Sequence, residues 1–172
     1  MEIAAIFLPF SFIGGAERLF LETVTLLRER NHMVDVYIFG DMKNFQQIGY
    51  INPIIVPYKE TTPLISNYYI FKNRYKAISR LINNKSYDLI FFGTIQNLFP
   101  LLELIKYPKV CYIHEPERNL YDKHIRSYLS FSEKLLYSCR KMIKYPLEKK
   151  WINKADCIIA NSKYTQNNIK RI

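Results

Sequence analysis

Two hydrophobic rhythms alternate along the chain. Ile3-Ala4-Ala5-Ile6-Phe7-Leu8 is an unbroken apolar run with branched residues, stopped by Pro9, and such a run reads as a strand covered on both faces. A loop over 10–15 follows. From Ala16 to about Arg30 the apolar positions Leu19, Phe20, Thr23, Val24, Leu26 and Leu27 keep helical spacing, with Glu17, Arg18, Glu22, Arg28 and Glu29 on the outer side. The same reading predicts strands at 34–39, closed by Gly40-Asp41, at 54–56 between Pro53 and Pro57, and at 88–93, 110–114 and 157–161. Helices are predicted over 69–81 and 97–105. Ile125, Tyr128/Leu129, Ser132, Leu135/Leu136, Cys139 and Met142/Ile143 put one apolar stripe along a further helix that runs to about Lys144, and Ser162 is placed to cap a closing helix. Buried strands joined by helical crossovers predict one α/β domain over 1–172, a doubly wound, mostly parallel Rossmann-like sheet with helices on both faces.

Composition sharpens this picture. At 172 residues, 49% of them hydrophobic and 15% aromatic, the chain is long enough for one apolar core and too hydrophobic for disorder. No apolar run approaches the roughly 20 residues of a bilayer span, and no basic leader precedes the first strand, so a cytoplasmic chain is expected. Cys111, Cys139 and Cys157 are odd in number and far apart, without a CxxC or a close histidine. They are expected to be reduced and mostly buried, and no metal site is expected.

The formal charge is +10, and residues 105–172 carry +9 of it. Arg126, Lys134, Arg140, Lys141 and Lys144 lie around the apolar stripe. The pattern suits a solvated helix face, or contact with anionic lipid or another polyanion. No helix-turn-helix spacing, zinc finger or RNP-like strand accompanies the charge, so nucleic acid is not an expected partner.

In a doubly wound sheet ligands sit outside the carboxyl ends of the strands, and three loops there stand out. Gly14-Gly15-Ala16-Glu17 opens a helix after the first strand; adjacent glycines allow close approach of a ligand, and the helix start favours phosphate or carboxylate. The spacing fits neither a dinucleotide fingerprint nor a P-loop. His114-Glu115-Pro116-Glu117-Arg118 follows an apolar strand and groups an imidazole, two carboxylates and a guanidinium suited to bonding hydroxyls and phosphates. Ala160-Asn161-Ser162-Lys163-Tyr164 follows the last strand, where capping already accounts for Ser162.

These residues in this order, with Ala155-Asp156-Cys157-Ile158-Ile159-Ala160-Asn161-Ser162 closing the series, resemble the N-terminal domain of the retaining, nucleotide-sugar-dependent glycosyltransferases of family GT4, which have the GT-B fold. The resemblance implies two Rossmann-like domains across a cleft, the acceptor held mainly by this one and the sugar nucleotide by a C-terminal domain that lies outside 1–172, on the same chain or a separate one. It implies that Gly14 and Gly15 approach the donor diphosphate and sugar, that His114 is the catalytic residue bonding the transferred sugar, and that Glu17, Glu115 and Arg118 serve the acceptor. A hexose-type sugar, a lipid-linked or polysaccharide acceptor, no metal or other cofactor, peripheral contact with the inner membrane face and catalytic silence of this span alone are the matching expectations. Two competing readings are a non-catalytic domain that keeps the fold to hold a partner protein or glycan, and a nicotinamide oxidoreductase, which rests only on the sheet type and Asp41.

Overall fold

The computed structural model describes residues 1–7, 14–40, 51–57, 67–93, 99–114, 128 and 130–170. Six strands are present there: β1 (Glu2–Phe7), β2 (Met33–Gly40), β3 (Ile54–Pro57), β4 (Leu89–Phe92), β5 (Lys109–Ile113) and β6 (Cys157–Ala160). With them come five helices: α1 (Gly15–Glu29), α2 (Asn67–Asn83), α3 (Phe99–Leu104), α4 (Phe131–Ile152) and α5 (Lys163–Ile169). The strands form one sheet in the order β3-β2-β1-β4-β5-β6, and every pairing is parallel. The chain works outward from β1 to β3 and then returns to the other side of β1 with β4. The order therefore reverses between β1 and β4, where a crevice opens at the carboxyl ends.

Alternation along β1 explains its unbroken apolar run. Ile3, Ala5 and Phe7 join a core with Phe20, Leu21 and Val24 of α1, while Ala4 and Ile6 join the opposite core with residues of α2, α3 and the end of α4. Both faces are covered from Ile3 to Phe7, so those positions are apolar, and the one polar residue of the strand, Glu2, stands at its exposed amino end.

The amino ends are pinned by a polar chain that runs from the buried Tyr37 out to the exposed Lys85. Tyr37 and Tyr87 share a 2.8 Å hydrogen bond, the Tyr87 hydroxyl donates to Asp35 Oδ2 at 2.6 Å, and Lys85 pairs with the same oxygen at 2.8 Å. Because the Tyr87 proton goes to Asp35, Tyr37 is the donor in the pair. Burial pushes the Asp35 carboxyl up, but the bonds from Lys85 and Tyr87 and the charges of Lys85 and Arg28 outweigh it and hold the group below its ordinary value.

Two expectations are corrected. The helix predicted to end at about Lys144 runs through Pro146 to Ile152, because Trp151 and Ile152 are buried against the sheet and that packing outweighs the hydrogen bond that proline removes. Of the three cysteines only Cys111 is buried, its thiol pushed up to about 12 by burial. Cys157 is on the edge strand β6 and Cys139 on the outlying half of α4, and both are exposed. Asp41 is outside the described residues.

Tyr87→Phe should lower stability by about 1–2 kcal/mol, since it strands the fully buried Tyr37 hydroxyl; urea unfolding at neutral pH measures this. A carboxyl held low in the folded state contributes stability above its ordinary value of 3.8 and loses it as pH falls through the lower folded value. Asp35→Asn should accordingly flatten the acid limb of a stability profile.

Candidate functional site

Gly93 stands at the reversal point, directly after β4. Its N–H donates to Ile6 O at 2.9 Å, extending the β1–β4 pairing. A Cβ there would lie 2.7 Å from Phe7 Cδ2 and closer still to Phe20 Cδ2. Phe7 and Phe20 pack with ring centroids 4.8 Å apart, and Phe20 stacks on Phe91 at 6.2 Å. No glycine among the described residues has a positive φ, so space rather than backbone freedom demands glycine at this position.

The Gly93 carbonyl reaches across to the end of the neighbouring strand, β5. His114, the residue after β5, approaches it through Nε2 at 3.1 Å. A carbonyl oxygen only accepts, so Nε2 carries the proton and, in the neutral ring, Nδ1 keeps its lone pair. Burial, outweighing the Gly93 bond and the negative charge of Glu17, holds the imidazole below 6.5. The ring is therefore neutral at pH 7. No hydrogen bond to Nδ1 comes from the described residues, which leaves it as an acceptor for a hydroxyl.

The backbone of His114 is held from the other side. Thr165, buried in α5, has its hydroxyl 3.1 Å from His114 O and 2.7 Å from Asn161 Oδ1. Ser162 Oγ donates to that hydroxyl at 3.1 Å and accepts from Thr165 N at 3.1 Å. The N-cap predicted at Ser162 is present, and it does more than cap: through Thr165 it positions the segment that carries the histidine.

Glu17 joins the glycine loop to His114. Its Oε2 accepts from Gly14 N at 3.0 Å, while its charge acts on the imidazole. Glu17 thus spends one oxygen on closing the start of α1. Gly14, extended at φ −91°, offers no side chain to cap the helix, so the N–H groups of Gly15, Ala16 and Glu17 remain donors toward a ligand. Among the described residues a Cβ at Gly15 would meet nothing within 4 Å, so neither their packing nor φ explains that glycine.

The structure thus brings together Gly14, Gly15, Glu17 and His114, and adds Gly93 and Thr165, which pattern reading missed. Gly93 ended a strand like any turn glycine, and Thr165 was an ordinary polar residue in a short helix. Glu115, Arg118 and Arg126 lie outside the described residues. Lys134 is exposed on α4; Arg140, Lys141 and Lys144 are in the same helix, their side chains outside the described set. No three of His, Cys, Asp and Glu gather to hold a metal among the described residues. A groove of about 490 Å³ along α1, bordered by Arg18, Glu22 and Glu29, contains none of the candidates.

The fold defines an α/β domain with a doubly wound, all-parallel sheet. The model of Glycosyltransferase Family 4 matches residues 13–172, and the chain belongs to that family. Among solved structures, the Anabaena protein Alr3699/HepE, crystallised with UDP and glucose, is similar at a TM-score of 0.57 and 18% identity, over 97% of this chain and 40% of that one. An alpha-glucosyltransferase (AGT) in complex with UDP is similar at 0.51 and 17%, over 96% of this chain and 36% of that one. Both likenesses are of fold: the chain spans about two-fifths of each, the size of one half of a GT-B glycosyltransferase. A comparison with curated protein sequences found no match.

Gly93→Ala should destabilise the fold by about 1–3 kcal/mol through overpacking against Phe7 and Phe20, measured by urea unfolding. His114 with its folded value held low supports stability above 6.5 and loses it as pH falls through the depressed value. His114→Gln should therefore reduce the stability lost between pH 7 and pH 5, and imidazole ¹⁵N shifts at pH 7 should show the Nε2–H tautomer.

Proposed function

We infer that this domain is the acceptor-binding half of a retaining glycosyltransferase, turning Gly14, Gly15 and His114 toward a hexose-type sugar that a second domain holds as its nucleotide diphosphate. The acceptor is a lipid-linked glycan or a polysaccharide, and transfer proceeds without a metal. The observation that supports this most is the convergence, at the sheet reversal of a family 4 chain, of uncapped helix N–H groups with a neutral imidazole whose tautomer is set by Gly93.

The chemistry of the crevice suits a sugar better than bare phosphate. Backbone N–H groups donate, Nδ1 accepts, and the Glu17 carboxylate beside them discourages a dianion while accepting from hydroxyls. Retaining transfer needs stabilisation of the departing nucleotide diphosphate, and positive charge for that purpose is not supplied by Gly14 or Gly15. Residues 1–172 alone are therefore inactive in this reading, and activity requires the donor-binding domain.

Gly15→Ala separates function from folding. A methyl there meets no atom of the described residues, so stability should be unchanged or slightly raised, whereas in a transferase containing this domain and a donor-binding domain kcat/KM should fall at least about tenfold. Loss of one hydroxyl contact in His114→Ala should produce a decrease of about tenfold as well. Transfer rates unaffected by both substitutions would remove the reading.

A further inference from the structure

α4 has two unlike halves. After Pro146 it packs, with Leu147, Trp151 and Ile152 against the core. Before Pro146, Phe131, Leu135 and Met142 are 84%, 60% and 77% exposed, and Tyr128, just ahead of the helix, is 89% exposed. The two sets lie on different sides of the helix. At about 100° per residue Leu147, Trp151 and Ile152 fall about 160–300° round from Phe131, so the side of α4 that enters the core is not the side that carries Phe131, Leu135 and Met142.

The first half has a defined face of its own. Phe131, Leu135 and Met142 fall within about 40° of one another around the helix, and the positions of Lys134, Arg140, Lys141 and Lys144 lie about 180–300° round from Phe131. Residues 131–144 carry a net charge of +3. Long apolar side chains on one side and basic positions on the other are the arrangement of a helix that lies in a lipid interface. A second copy would set +3 against +3, and a spanning mode does not arise, since no described helix is long and apolar enough to cross a membrane.

We propose that the first half of α4, led by Tyr128, docks this domain on an anionic lipid surface, with Phe131, Leu135 and Met142 inserted between headgroups. The docking favours an acceptor embedded in that surface, and there alone it rests on the glycosyl-transfer reading. Binding itself needs neither donor nor acceptor.

Cys139 supplies a reporter. It is exposed about 80° round from Phe131, Cys111 is buried, and Cys157→Ser leaves Cys139 as the one exposed thiol. An environment-sensitive fluorophore on Cys139 should brighten and shift to the blue with phosphatidylcholine vesicles containing about one-third phosphatidylglycerol, and should respond far less to phosphatidylcholine alone. The triple change Phe131→Ser, Leu135→Ser and Met142→Ser should weaken sedimentation with the anionic vesicles at least tenfold while leaving the circular dichroism spectrum and unfolding midpoint unchanged. An unresponsive label, or vesicle binding untouched by the triple change, would overturn the proposal. So would concentration-dependent dimerisation without lipid that the triple change abolishes, which would assign the stripe to a second copy. Any of these results would leave sugar transfer by Gly15 and His114 variants unaffected, so the two readings fail separately.

Discussion

Gly93 occupies the junction where β1 and β4 lie side by side, and three demands meet there. Its N–H continues the ladder to Ile6, its carbonyl receives the His114 imidazole, and its missing side chain is the space that Phe7 and Phe20 occupy. Close packing admits no slack at such a point, because an added methyl must displace an aromatic ring or the backbone itself. The crevice chemistry and the core are therefore coupled: whatever moves Phe20 moves the acceptor of the His114 proton.

The polar groups divide between the two ends of the sheet. At the amino ends Asp35, Tyr37, Tyr87 and Lys85 bond to one another, with both tyrosine hydroxyl protons assigned a partner. Polar networks with a buried member such as Tyr37 specify a register. At the carboxyl ends the network of Gly93, His114, Thr165, Asn161 and Ser162 is deliberately incomplete toward the crevice, where Nδ1 and the first N–H groups of α1 remain available. Holding an imidazole through one nitrogen and its own backbone, rather than through both nitrogens, is what leaves it chemistry to do.

α4 shows how little intrinsic pattern decides about burial. Phe131, Leu135 and Met142 before Pro146 are exposed, whereas Leu147, Trp151 and Ile152 after it, on another side of the helix, pack against the core. What decides burial is which side of the helix meets the rest of the fold. Positive charge accumulates on the uncovered half, which turns an unpacked helix face into an interaction surface.

Fold class was legible in the sequence because covered strands and crossover helices have distinct hydrophobic periods, and residues 3–8 or 110–114 admit no other reading. The loops after β1 and β5 were legible as a site because strand ends face the crevice in any such sheet. The sequence by itself therefore determined the element order, the parallel sheet and the position of Gly14, Gly15 and His114 beyond the carboxyl ends of their strands. Only the tertiary structure decided the rest: that Gly93 fixes the histidine tautomer from the neighbouring strand, that Thr165 holds its backbone from 51 residues away, and that Phe131, Leu135 and Met142 face solvent. Those facts depend on distances between segments remote in the chain, and hydrophobic periodicity carries information only about a residue's own element.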